Sequence, residues 1–183
     1  MRLMLKNVRL AFPSLWKATA PASGGEPAFS ASFILPKDHP QVKEINAALR
    51  AVATDKWNEK GAAVLKALQA ADKTCLHSGD SKPDYDGFEG NLYVSARSKV
   101  RPSTFDGLRN EVAEADGVIY AGCYVNASLE LWAMDNSYGK RINAQLRGVQ
   151  FLRKGDAFTA GGAADSDEFD ELGVEDTADD LTA

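Results

Sequence analysis

Apolar side chains return at every second position in five stretches of this chain, and at helical spacing between the second and third. Leu3 to Phe12 mixes apolar residues with Lys6 and Arg9, and reads as a strand with an irregularity near Asn7, ended by Pro13. Phe29, Ala31, Phe33 and Leu35 make one face of a second strand, with Ser30 and Ser32 opposite. A Pro-rich turn then leads into a helix carrying Val42, Ile45, Leu49 and Val52. Gly61 interrupts the pattern, and a second helix is predicted over Ala62 to Ala71 with Val64, Leu65 and Leu68 inward. Leu92 to Arg101 sets Leu92, Val94, Ala96 and Val100 against Tyr93, Ser95, Arg97, Lys99 and Arg101. Ile119 to Met134 turns Cys123, Val125, Ala127, Leu129 and Leu131 inward, with Tyr120, Tyr124, Asn126, Ser128, Glu130 and Trp132 outward. After a hairpin turn at Asp135 to Gly139, Lys140 to Leu152 returns with Ile142, Ala144, Leu146 and Leu152 on the apolar side. Arg141, Asn143, Gln145, Arg147 and Arg153 lie on the other.

Strands outnumber helices, and short alternating strands with hairpin turns predict a mainly β fold. Five main strands with helices inserted between the second and third match an OB-fold-like, five-stranded antiparallel barrel better than a sandwich. A loop covers Ser14 to Pro27, with Ala22-Ser23-Gly24-Gly25 at its centre. A second loop, Gly79 to Asn91, is rich in Asp, Gly and aromatics. Its oxygen ligands do not follow the order of an EF-hand, so Tyr85 and Phe88 are read as anchors of a turn.

Composition changes this picture at the C-terminus. Residues 1–154 hold 21 basic against 16 acidic side chains, whereas Gly155 to Ala183 holds ten acids and no Lys or Arg. The chain therefore divides into one folded domain, 1–154, and a disordered acidic tail, 155–183. A basic body with an acidic tail suits nucleic-acid binding, because the body attracts phosphate and the tail competes for the same surface. The chain has no apolar run near bilayer length. Its N-terminus lacks a leader pattern, so a cytoplasmic protein is expected. Cys75 and Cys123 are too few for a disulfide framework. His77 beside Cys75 has no second pair to complete a zinc site, so no metal or cofactor is expected.

The candidate chemistry lies on the polar strand faces. Arg97, Lys99 and Arg101 alternate without an intervening acid, and Arg141 and Arg147 join them from the last strand; these five are the expected phosphate contacts. Tyr93, Tyr124 and Trp132 are the expected stacking platforms, with Trp16 and Tyr138 on adjoining loops as weaker ones. Cations interleaved with flat rings favour unpaired bases over duplex, which is read by a helix in the major groove. In the tail, Asp167-Glu168-Phe169-Asp170-Glu171-Leu172 embeds apolar residues among acids and suits docking to a partner protein. Two rival classes stay open at this point. One is an adaptor whose main ligand is a protein. The other is a metal-dependent nuclease, disfavoured because the acids Asp106, Glu111, Glu114 and Asp116 are scattered in a loop. No Gly-rich phosphate loop or Gly-x-Ser-x-Gly is present, and two histidines offer no evident His–Cys or His–Ser dyad, so an enzyme is not expected.

Four stretches carry a likeness: Lys82 to Phe88, Leu92 to Arg97, Tyr120 to Asn126, and Gly148 to Phe151 before the acidic tail. In these the chain resembles the tailed-bacteriophage single-stranded DNA-binding proteins, formerly known only as a domain of unknown function. The likeness spans nearly the whole chain. It implies an oligonucleotide-binding fold, sequence-tolerant binding and protection of single-stranded DNA, and work in phage replication, recombination or repair in the host cytoplasm. Similar proteins recruit replication partners through an acidic C-terminus, and many end in an aromatic residue. This chain ends Leu181-Thr182-Ala183, and its tail aromatics, Phe158 and Phe169, are internal.

Overall fold

The first strand, β1 (Arg2–Thr19), is 18 residues long and bends twice. Each bend sits where a non-glycine residue takes a left-handed backbone: Asn7 at φ 53° and Phe12 at φ 47°. The computed structural model describes residues 1–159. At the first bend the register against β6 slips between Leu5 and Val8. The backbone groups freed there are satisfied by Gln41, whose side chain accepts from Lys6 N at 2.6 Å and donates to Met4 O at 2.8 Å. The irregularity expected near Asn7 is thus present. Pro13 does not end the strand, contrary to expectation. It falls at the second bulge, between Ala11 and Ser14, where no ladder hydrogen bond is asked of it.

The remaining elements are β2 (Ala28–Pro36), α1 (Val42–Trp57), α2 (Gly61–Ala70), β3 (Leu76–Ser78), β4 (Asn91–Ser98), β5 (Ser103–Phe105), β6 (Tyr124–Asn136) and β7 (Gly139–Arg153). Strands β1, β2, β4, β7 and β6 close on one another as a five-strand barrel, with β3 added beside β4 and β5 beside β7. The expected OB-fold-like barrel is present, with one difference. Closure is mixed rather than wholly antiparallel, because β4 meets β7 in parallel through the single pair Arg97 and Gln145.

Alternation fills the barrel. Leu5, Val8, Leu10, Phe33, Leu35, Val94, Val125, Leu129, Ile142 and Leu146 are all essentially buried in one core. Helix α1 covers one end with Ile45, Ala48, Leu49, Val52 and Ala53. Gly61 does more than interrupt a helix. A Cβ there would stand 2.8 Å from the Ala53 carbonyl oxygen, so glycine lets α2 start against α1.

Three boundaries differ from the pattern reading. Strand β4 ends at Ser98, and Val100 is 70% exposed, because the chain bends away at Lys99. Strand β6 begins at Tyr124, and Ile119 to Cys123 form a turn-rich approach with Gly122 at φ 103°. Leu152 faces solvent rather than the core. Arg147 and Leu152 are each an extra residue in a bulge of β7, which hands the inward positions to Val149 and Phe151. Among the described residues, no helix is long and apolar enough to cross a membrane, and no cluster of His, Cys, Asp and Glu could hold a metal ion.

Candidate nucleic-acid interface

A groove of about 390 Å³ lies between β3–β4 and the β6–β7 hairpin, lined by Thr74, Cys75, His77, Ser95, Arg97, Trp132, Arg141, Asn143 and Ala144. The barrel seam explains why these residues meet. Pairing of Arg97 with Gln145 sets the outward face of β4 beside that of β7, and the long hairpin carries Trp132 opposite Asn143. Arg97 donates to the Glu26 carbonyl at 3.2 Å and is otherwise exposed. Arg141 is exposed and makes no ion pair among the described residues. Trp132 is 46% exposed. Two cations, a half-exposed indole and polar side chains therefore share one concave surface, able to hold phosphates while a base lies on the indole.

The other expected phosphate contacts lie elsewhere. Lys99 and Arg101 fall beyond the end of β4, and Lys99 is paired with Glu26 at 2.6 Å, holding that carboxyl below the ordinary range. Arg147 occupies its bulge and bonds Glu130 at 2.8 Å.

The stacking candidates also separate. Tyr93 is buried and is not a platform here: His77 stacks on it at 4.9 Å, and Phe88 packs edge-on at 5.1 Å. Burial raises its phenol above the usual value. Tyr124 is already covered by cations, with Arg153 3.5 Å and Arg9 5.7 Å from its ring centre. Trp16 packs on the core and donates its indole N–H to Val112 O at 3.3 Å. Tyr138, at the hairpin tip, is 92% exposed.

The family model described as Enterobacter phage Enc34, ssDNA-binding protein, matches residues 1–182. The chain belongs to this family. Protein p50 of Acyrthosiphon pisum secondary endosymbiont phage 1 is 43% identical over 177 residues, 95% of each chain. The single-stranded DNA-binding protein of bacteriophage Enc34, solved in complex with ssDNA, is 31% identical, with TM-score 0.70 over 85% of this chain and 88% of that one. The bacteriophage T7 protein gp2.5, at 12% identity and TM-score 0.57 over 93% of this chain and 98% of that one, shares the fold alone. The Enc34 family is one of binding proteins, and the chain is not an enzyme.

Two features of this Enc34-family chain escaped the pattern reading. The first is a hydrogen-bonded line, Asp72–His77–Ser95, at 2.7 and 2.9 Å on the groove wall. It supplies the His–Ser pair that the sequence did not suggest, because β3 is only three residues long and shows no periodicity. The Ser95 backbone N–H, a natural oxyanion donor in a nucleophilic serine, is here given to Cys75 O at 2.9 Å. The second is the root of the tail. Gly155 to Thr159 lies on the barrel, with Tyr120 Oη donating to Gly155 O at 2.8 Å and Phe158 N donating to Ala121 O at 3.0 Å. The folded body thus extends past residue 154. The partner-docking segment Asp167 to Leu172 lies outside the described residues.

Proposed function

We propose that this chain binds single-stranded DNA without sequence preference along the Arg97–Trp132–Arg141 groove. One observation carries the reading: two guanidinium groups that have no carboxylate partner among the described residues line one groove with a half-exposed indole, on the seam of an oligonucleotide-binding barrel. Sequence-tolerant recognition follows, since phosphates carry no sequence and every base has a stacking face. The ssDNA complex of the 31% identical Enc34 protein supports the ligand class. In the infected cell, protection of exposed strands would serve phage replication, recombination or repair. The acidic segment Asp167 to Leu172 would then recruit partner proteins.

Titration with oligothymidine at low and high salt, read by tryptophan fluorescence, tests the reading. Tight binding at low salt, weakened by salt and poorly competed by duplex, is expected. Absence of binding at low salt, or equal affinity for duplex, would sink it. Matched RNA oligomers then report whether a 2′-hydroxyl matters.

A further inference from the structure

Two aromatic rings stand half in solvent beyond the groove. Phe12 is 45% exposed and Tyr85 50%, and they meet edge to face at 5.0 Å, with planes at 85°. Phenylalanine is normally buried. Here the backbone holds one out. Phe12 sits at the bulge before Pro13 with φ 47°, a left-handed conformation that a bulky side chain rarely adopts. A bulge re-aims the side chain it carries, and backbone outliers of this kind gather at binding sites.

Lys82 completes the cluster. Its Nζ lies 5.6 Å from the centre of the Phe12 ring, 5.8 Å from that of Tyr85, 6.0 Å from Phe88 and 5.8 Å from Tyr93. It makes no ion pair among the described residues. A cavity of about 130 Å³ opens beside the rings, with Phe12, Tyr85, Phe88 and Phe158 in its wall. The cluster is continuous with the groove. His77 lines the groove and stacks on Tyr93 at 4.9 Å. Phe88 packs against Tyr93 at 5.1 Å and against Phe12 at 5.6 Å. Arg97 and Tyr93 lie on the same strand β4, about 13 Å apart at the ordinary rise of a strand.

We propose that Phe12, Tyr85 and Lys82 form a second base-stacking subsite for the same single strand, next to the Arg97–Trp132–Arg141 groove. The inference rests on that groove being the single-stranded DNA site. Continuity selects the occupant, since a strand leaving Arg97 along β4 reaches these rings. An exposed ring accepts a flat base, and the ammonium beside it accepts the phosphate that each nucleotide brings. Asp84, Asp86 and Glu89 share the loop with Tyr85, and Asp86 accepts from the Thr159 hydroxyl at 3.3 Å. Their charge opposes Lys82, so stacking supplies most of the binding here, whereas the two arginines supply it in the groove.

The full chain should be titrated with oligothymidines from about 4 to about 16 nucleotides, the range that one such barrel covers. Wild-type affinity is expected to rise with length as the second subsite fills. Tyr85→Ala should lose about tenfold in affinity for the longest oligomer and nothing for the shortest. Its salt slope should stay at the wild-type value, because a lost stack releases no counterions. Phe12→Asn, a residue that tolerates the left-handed backbone, should act in the same direction. Lys82→Gln should lower the slope for the longest oligomer by about one. A long oligomer carrying 5-iododeoxyuridine should photo-crosslink to Tyr85 or Phe12. Equal affinities of wild type and Tyr85→Ala at every length overturn the assignment. Equal weakening at every length also overturns it, since that marks a structural role, as do cross-links confined to the groove. No oligothymidine binding by the wild type at low salt overturns the underlying DNA-binding reading instead.

Discussion

Arg9 donates through Nη2 to the backbone oxygen of Asp156 at 2.8 Å, tying the first strand to the root of the acidic tail. The same guanidinium bonds Gly122 O at 3.0 Å and lies 4.2 Å from the centre of the Phe158 ring. Arg9→Ala should lower unfolding free energy by about 1–3 kcal/mol, through lost charge-assisted hydrogen bonds, and release Gly155 to Thr159. Urea unfolding measures the first effect. Amide exchange at Phe158 measures the second, and unchanged protection there would contradict the clamp.

Arg97 and Arg141 should dominate the salt dependence of binding. Replacing both with Ala is expected to weaken oligothymidine binding and to lower the salt slope by about two. Lys99→Ala should change the slope less, because Lys99 is spent on Glu26 outside the groove. Slopes from fluorescence titrations at four salt concentrations decide the ranking.

Trp132 should report occupancy on its own. Trp16 is tied to Val112 and Trp57 donates to Asp135 at 2.7 Å, whereas Trp132 faces the groove. Trp132→Ala is expected to abolish most of the DNA-induced fluorescence change and to cost about 1–3 kcal/mol of binding. A quench that survives in this variant would move the stacking site elsewhere.

Phe88 should matter for folding rather than binding. It is 1% exposed and packs among Ala11, Ile34 and Tyr93, anchoring the loop between β3 and β4. Phe88→Ala should cost about 3–5 kcal/mol in urea unfolding, the range for a buried aromatic.

The same loop should loosen in acid. Asp80 accepts from Gly90 N at 2.7 Å and from Lys37 at 3.2 Å, and these contacts hold its carboxyl below the ordinary range. A depressed folded value stabilises fully above the unfolded value of about 3.9, and the gain is lost as pH falls through the folded value. NMR signals of Gly90 should therefore shift below about pH 4, and Asp80→Asn should show the loosened loop at neutral pH.

Alternation located the core wherever a strand kept its register. Phe33, Leu35, Val125, Leu129 and Ile142 are buried as their spacing requires. The pattern failed where one residue was inserted: at Pro13, carried by a bulge, and at Leu152, itself the extra residue of another. A bulge leaves almost no mark in composition, so parity beyond it is lost. The groove was half legible. Arg97, Trp132 and Arg141 lie on faces that alternation assigns correctly. Tyr93 lies on the right face too, but a loop distant in the ladder covers it, and no local periodicity reports such a cover. Lys99 and Arg101 were lost to a bend that the continued apolar and cationic pattern concealed.

The barrel is a cylinder latched at one backbone pair, Arg97 with Gln145, and the latch lies beside the groove. A nucleic-acid strand held by Arg97 on one side and Arg141 on the other would span that latch like a staple. Loading the groove would thus stop the cylinder from breathing at its weakest join. Occupancy and mechanical closure would rise together, by the mass action that couples any ligand to the fold it prefers.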